Sequence, residues 1–196
     1  MPKPTKYPEG FDDYLRSQVE LDSLTGNLHW TCQTVRNARK MDRPVGGVHN
    51  KNYLSFRMMY KGVSYNILNH RAVFFLTHGY WPYGVDHKDG NGFNNTPDNL
   101  RECDQKDNNG NCAPKHGRQY KGIYLRKDRG TWQAQGTQGK ASIKLGNYTC
   151  KKEAALAYNY WALYYFGDFA RLNKVFEDHP LAETEHRQST SAKLSQ

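Results

Sequence analysis

From Leu21 to Ile67 apolar and polar positions alternate in short runs: Leu28-His29-Trp30, then Tyr53-Leu54-Ser55-Phe56-Arg57-Met58, then Val63-Ser64-Tyr65-Asn66-Ile67. A period of two over such lengths predicts half-buried strands, and turn residues at Thr25-Gly26-Asn27 and Tyr60-Lys61-Gly62 join them into a small antiparallel meander. Asn69 then offers an N-cap for a helix through residues 70–76, stopped near Gly79 and Pro82. Residues 1–20 are polar, with prolines at 2, 4 and 8, and read as an arm with room for one short helical turn.

The grammar changes at residue 83. Asn, Asp and Gly dominate 83–111, so helix and strand propensity are low except at Val85 and at Leu100-Arg101-Glu102-Cys103. The pattern predicts two short strands enclosing a long polar loop. Asp104 then caps a short helix that contains Asn108 and ends at Gly110. Residues 112–119, with Pro114 and Gly117, read as a linker.

Beyond Tyr120 three strands fit 121–127, 131–137 and 141–148, turned at Asp128-Arg129-Gly130 and Gln138-Gly139-Lys140, before a helix over 150–166. Ala154, Ala155, Ala157, Tyr158 and Ala162 form a small-residue stripe suited to close packing on a sheet. Residues 174–196 read as a polar tail without order. The expected class is α+β. An N-terminal antiparallel meander and a strand-loop-strand-helix unit fill 21–111, and a three-stranded antiparallel sheet packed on one helix fills 120–173.

Composition narrows the partner. At 196 residues with 37% hydrophobic content, two small units are favoured over one large core. The net charge is +9 and the sequence pI about 9.3. Residues 120–173 hold nine Lys or Arg against three acids, so much of the excess sits there. A polyanion is the first partner this implies, with double-stranded DNA leading. No apolar run approaches the roughly 20 residues of a membrane span, so membrane binding is disfavoured. The opening Met-Pro-Lys-Pro-Thr-Lys has no apolar core of a secretory signal, from which a cytoplasmic, reducing setting is expected. Cys32, Cys103, Cys112 and Cys150 include no C-x-x-C pair, so they read as reduced structural thiols and a structural zinc is not expected.

The loop of 83–111 is the candidate for chemistry. A magnesium ion prefers oxygen ligands, keeps several waters, and is often held by one or two protein groups together with phosphate. Asp86 and Asn108 suit such a sparse set. Neighbouring His87 suits a general base, since neutral imidazole takes a proton from water near pH 7. On a strand the two side chains point to opposite faces, one for a metal and one for water. Asn99 is placed to hold the loop and orient His87. Composition alone also allows a plainer reading, in which these residues simply build turns. His29, His49, His78 and His116 read as surface or packing residues, while His70 divides between packing and substrate contact.

The series Asn69-His70-Arg71, Val85-Asp86-His87-Lys88-Asp89-Gly90-Asn91, Asn94-Asn95, Asn99-Leu100-Arg101 and Asn108 resembles the HNH, or ββα-metal, homing endonucleases of bacteriophages. The resemblance implies His87 as general base, Asp86 and Asn108 as metal ligands, and Asn99 supporting the hairpin. It further implies DNA cleavage, with nicking or double-strand cutting both open, to 5′-phosphate and 3′-hydroxyl ends. Here the first pair is Asp-His rather than His-His, and the last position is Asn rather than His. That donor set favours Mg²⁺ or Mn²⁺ over zinc. Arg71 is then a candidate phosphate contact.

Tyr120-Lys121-Gly122-Ile123, Gly130-Thr131-Trp132-Gln133-Ala134, Leu145-Gly146-Asn147-Tyr148, Glu153 to Asn159 and Ala170-Arg171-Leu172-Asn173 resemble the APETALA/ethylene-response-factor (ERF) DNA-binding domain. The likeness implies a sheet laid into the major groove, with Arg126, Trp132, Lys144 and Tyr148 near DNA. Trp132 and Tyr148 also suit a core. Tyr124 stands where that family usually has Arg, and Lys144-Leu145-Gly146 where it has Trp-Leu-Gly, so DNA binding is implied more firmly than any particular target. The chain is expected to act on DNA as a monomer or a homodimer. The competing readings are a non-catalytic DNA-binding regulator on an HNH-like scaffold, and an RNA-binding protein, which the lack of an aromatic stacking motif disfavours.

Overall fold

A computed structural model describes residues 6–31, 43–115 and 117–175. Its small antiparallel sheets and four α-helices form a mixed architecture compatible with α+β. Contacts divide the chain into two compact units, one up to Asn111 and one from Cys112.

The first unit begins with helix α1 (Phe11–Gln18), where an arm was expected. Phe11 and Leu15, four apart and so on one face, are fully buried. Tyr7 stacks on Phe11 at 4.4 Å, and Trp81 Nε1 donates to Asp12 Oδ1 at 2.8 Å. A two-residue apolar spacing inside a polar stretch gave too little periodicity to announce this helix. The expected meander is two sheets. Strands β1 (Val19–Asp22) and β2 (Asn27–Trp30) form a hairpin. Strands β3 (Gly47–His49), β4 (Tyr53–Tyr60) and β5 (Val63–Leu68) form a second sheet in that order.

The β4–β5 turn holds Lys61 and Gly62 at φ of 46° and 78°, the positive pair that a two-residue hairpin loop requires. Helix α2 (Asn69–His78) follows at once and buries Ala72, Val73, Phe74 and Phe75 against both sheets. Its N-cap is Leu68 rather than Asn69, whose side chain instead donates to Val45 O at 2.7 Å. Gly79 at φ 84° ends it as expected, its N–H closing on Phe75 O. Strands β6 (Val85–His87) and β7 (Leu100–Glu102) then pair, and helix α3 (Gln105–Asn111) completes the unit. Asp104 and Asp107 cap α3 reciprocally, each side chain accepting the other's backbone N–H, at 2.8 and 3.3 Å.

In the second unit β8 (Ile123–Arg126), β9 (Thr131–Gln138) and β10 (Ala141–Tyr148) form one antiparallel sheet, ordered β10-β9-β8. Helix α4 (Lys151–Phe166) lies on it through Ala154, Ala155, Tyr158 and Ala162. Two glycines set the depth of that packing. A Cβ at Gly122 would meet the Tyr158 ring at 1.9 Å, and one at Gly136 the Trp161 ring at 2.4 Å.

The expected linker and tail are both built in at their inner ends. Arg118 lies over the Tyr124 ring, Gln119 accepts from Lys151, and Val175 is buried in the core. Asn173 clamps this end, accepting from Lys121 N at 2.6 Å and donating to Lys121 O at 3.0 Å. Residues 1–5 of the expected arm, 176–196 of the tail, Cys32 and His116 lie outside the described residues.

The burial of Phe11 predicts that Phe11→Ala costs about 3–5 kcal/mol of the first unit's stability, read by chemical denaturation. An arm residue would cost close to nothing.

Candidate active site and nucleic-acid face

The register of β6 with β7 sets the site. Asp86 lies opposite Arg101 and His87 opposite Leu100. Both Asp86 and His87 are 5% exposed, and alternation sends their side chains to different neighbours. Arg101 Nε and Nη2 both donate to Asp86 Oδ2, at 2.9 and 2.7 Å. Asn111 Nδ2, delivered by α3, reaches Asp86 Oδ1 and Oδ2 at 3.0 and 3.1 Å and His87 O at 2.7 Å. A buried carboxylate needs such donors to stay charged.

Asn108 lies one turn earlier on α3 and is exposed. The fold also brings Asn111 onto Asp86, a residue outside the motif series. Its signal was its place three residues beyond Asn108, hence on nearly the same helical face.

His87 faces a different set of groups. Its Nε2 meets Asn95 Oδ1 at 3.0 Å, and its ring lies 5.2 Å from His70 and 5.9 Å from Tyr53. An amide oxygen only accepts, so in this pair Nε2–H is the donor. Asn95 is itself buried.

Asn99, expected to aim His87, holds the loop instead. Its Oδ1 accepts from Asp89 N, and its Nδ2 donates to Asp89 Oδ1 at 3.0 Å and Asn94 O at 2.8 Å. Asp89 gathers further donors from Asn91 N and Asn94 Nδ2. Burial pushes its carboxyl up, but these hydrogen bonds outweigh it and hold the group below its usual value. The reason is reach: the loop turns on Asp89, so Asn99 meets Asp89, and Asn95 on the far side meets the imidazole.

Arg71, a candidate phosphate contact, spends its guanidinium inside the fold. Nη2 donates to Pro82 O at 2.7 Å and Nη1 to Tyr83 O at 3.2 Å, fixing the segment that leads into β6. Glu102 reinforces it by accepting from Tyr83 N and Tyr80 Oη, both at 2.9 Å.

His70 is 6% exposed, its Nδ1 has no hydrogen-bond partner among the described residues, and its ring touches Tyr53 and His87. Burial, with His87 and Arg71 adding to it, pushes its pKa down to about 3.

In the second unit, cross-strand pairs share a face, so the register sorts every side chain. Ala134 is buried and Gly136 abuts α4, so Trp132, two residues away, lies on the helix side, and Tyr148 is its partner. Both pack on the core, which corrects their placement on the DNA side. Lys151 Nζ sits 5.1 Å above the Trp132 ring.

The opposite face carries Tyr124, Arg126, Gln133, Gln135, Lys144 and Asn147. Arg126 and Lys144 are exposed there, as expected; Arg126 also bonds Asp128 and, at 3.1 Å, Gln133 Oε1. Lys144 and Tyr148 are an even number apart yet face opposite ways. A β-bulge between Lys144 and Gly146 inserts Leu145 and inverts the alternation. Sequence periodicity could not place that extra residue.

Neutral His70 makes acid stability a readout of this core. The folded state resists protonation down to about 3, whereas the unfolded chain takes a proton below about 6.5. The unfolded state therefore binds more protons in that window, and stability falls as pH drops through it. Urea unfolding between pH 7 and 4 should show a steeper loss for the wild type than for His70→Gln. Equal slopes would exclude His70 as the source.

The chain matches no curated protein and no solved structure. Among the described residues no helix is long and apolar enough to cross a membrane. Residues 68–110, running from the start of α2 through the β6–β7 hairpin into α3, match the family model described as HNH endonuclease, a likeness that supports an HNH nuclease acting on DNA.

Proposed function

We propose that the chain is a metal-dependent HNH endonuclease of the homing type, hydrolysing DNA phosphodiester bonds, with the second unit as a DNA-positioning module. The observation that carries this reading is the adjacency of Asp86 and His87 on one short buried strand inside the matched segment, each held by its own set of partners. His87 Nδ1 removes the proton from the attacking water. Asn95 fixes the tautomer by accepting from Nε2–H, and Asn99 keeps the loop closed around Asp89. Products carry 5′-phosphate and 3′-hydroxyl ends.

The donor set suits a hard divalent cation such as Mg²⁺ or Mn²⁺: one buried carboxylate, with the side-chain oxygen of Asn108 or, after rotation of its amide, of Asn111. When bound, that ion supplies charge stabilisation at the phosphate and the leaving 3′ oxygen. Arg101 holds Oδ2 of that carboxylate, while Oδ1 accepts from Asn111. The ion pair is the one observation favouring the alternative, a non-catalytic DNA-binding protein, since it already neutralises the carboxylate. On the open face of the second unit, Arg126 and Lys144 neutralise phosphate, while Gln133, Gln135 and Asn147 offer amides to base edges.

Purified protein is expected to nick or cut supercoiled DNA with Mg²⁺ or Mn²⁺ and to stop with EDTA. His87→Ala should lower the rate about 10²–10⁴-fold and retain DNA binding. Full activity in that variant would remove the base assignment, and inactivity of the wild type across both metals would favour the non-catalytic reading.

For the second unit, Lys144→Ala should weaken DNA binding and reduce the slope of log affinity against log salt by about 1. Trp132→Ala should act through stability, lowering the melting temperature. A Lys144→Ala variant with an unchanged salt slope would clear that face of phosphate contact.

A further inference from the structure

Two turns that precede the matched segment of residues 68–110 rest on the loop that holds His87. Gly26, buried and at φ 72°, seats the β1–β2 turn on the backbone of Asn95 and Thr96, so closely that a Cβ there would collide with it. Asn95 is the residue that accepts from His87 Nε2–H. The β3–β4 turn meets the same loop at Gly92, where a Cβ would collide with Asn52 O and the Tyr53 ring. Phe93, 44% exposed, lies between these two footholds in the sequence.

The first turn presents a leucine. Leu24 is 91% exposed, yet its turn is braced: Leu24 N donates to Asp22 Oδ1 at 3.0 Å, Thr25 Oγ1 donates to Asp22 Oδ2 at 2.6 Å, and Gly26 N closes on Asp22 O at 2.8 Å. The second turn presents a lysine. Asn52 N closes it on His49 O at 3.2 Å, with Asn50 and the exposed Lys51 at φ of 49° and 62°, a conformation that glycine adopts freely and lysine does not. A lone exposed leucine is ordinary on a protein surface. Here a braced leucine, an exposed phenylalanine and a lysine gather on the segment that holds His87, in a chain of net charge +9. That combination matches DNA, where apolar wedges enter between base steps and cations meet the phosphates.

We propose that Leu24 is a wedge that enters the duplex between base steps beside the scissile phosphate, with Lys51 on a neighbouring phosphate, so that the DNA is opened where His87 acts. This rests on the nuclease reading and gives Leu24 a positioning role. Unstacking a step costs free energy that the added contacts must offset. The braced turn lowers a second cost, since no loop has to be ordered on binding. Because the turn rests on Asn95, the opened step and the imidazole keep a fixed spacing, which sets where the strand is cut relative to the distortion. A duplex already unpaired at that step spares the unstacking, so the protein prefers it, and Leu24 is the source of the preference.

The test uses the full chain in a His87→Ala background with EDTA, so that nothing is cut. Fluorescence anisotropy compares two labelled duplexes of one mixed sequence, fully paired or with two adjacent central mismatches. With Leu24, the mismatched duplex should bind about tenfold more tightly. Leu24→Ala should bring the ratio close to one, and Leu24→Met, which is also long and apolar, should restore most of it. Lys51→Ala should weaken both duplexes alike, lower the slope of log affinity against log salt by about 1, and leave the ratio intact.

Equal affinity for the two duplexes with Leu24 in place, or an unchanged ratio in Leu24→Ala, overturns the wedge and leaves the nuclease reading standing. An unchanged ratio together with a smaller assembly in sedimentation assigns Leu24 to a contact between copies of the chain instead. Failure of either duplex to bind overturns the wedge and the DNA reading together. A Leu24-dependent preference in a chain whose His87 form cuts neither duplex with Mg²⁺ or Mn²⁺ supports the wedge and removes the nuclease reading.

Discussion

A carboxylate inside a protein must be met by donors, and Asp86 meets its donors from two directions. Arg101 comes across the strand pair and Asn111 from the following helix, so a single charged group ties β6, β7 and α3 together. Three residues per strand are too few for an independent hairpin, and a seven-residue helix is too short to hold itself. The polar centre does what a hydrophobic core does elsewhere in the unit. Replacing one partner would leave the others buried and unmatched, which is why such centres are sensitive to single changes.

Around that centre the polar loop is organised by side chains rather than by a backbone ladder. Asp89 collects donors from residues 91, 94 and 99, so the twelve-residue excursion between the strands keeps one shape while remaining rich in Asn and Gly. Aromatic contacts finish the other side, where Tyr53 of β4 and His70 of α2 bracket the His87 ring. The site thus draws on β4 and α2 as well as on the β6–β7 pair, and the apolar packing of α2 is what fixes His70 at its base.

Much of this was legible beforehand, for identifiable reasons. Strands β4 and β5, the positive-φ turn at Lys61-Gly62 and the three strands and helix of the second unit follow from alternation and turn chemistry, which are local. The strand-loop-strand-helix order around Asp86 was readable from the same cues, and so was the capping role of Asp104. What escaped depends on contacts between distant residues. Helix α1 is held by Trp81 and by the β4–β5 sheet, not by its own propensity. Asn99 and Asn95 differ only in which way the loop turns them, and the direction of α3 is what brings Asn111 onto the carboxylate. Arg71 looked available because its acceptors, the carbonyls of residues 82 and 83, leave no trace in side-chain composition.

Strand β10 behaves like a text with a reading frame. One inserted residue, Leu145, sets the frame in which Ser142 and Lys144 point outward while Ile143 and Tyr148 point toward the helix. Taking Leu145 into the ladder, instead of leaving it outside, would shift the frame of the first half of the strand against the second. Lysine would then be carried into the packed side and isoleucine into water, with the composition of the strand almost unchanged. The charge of the open face is therefore encoded less by which residues are present than by how many stand between them.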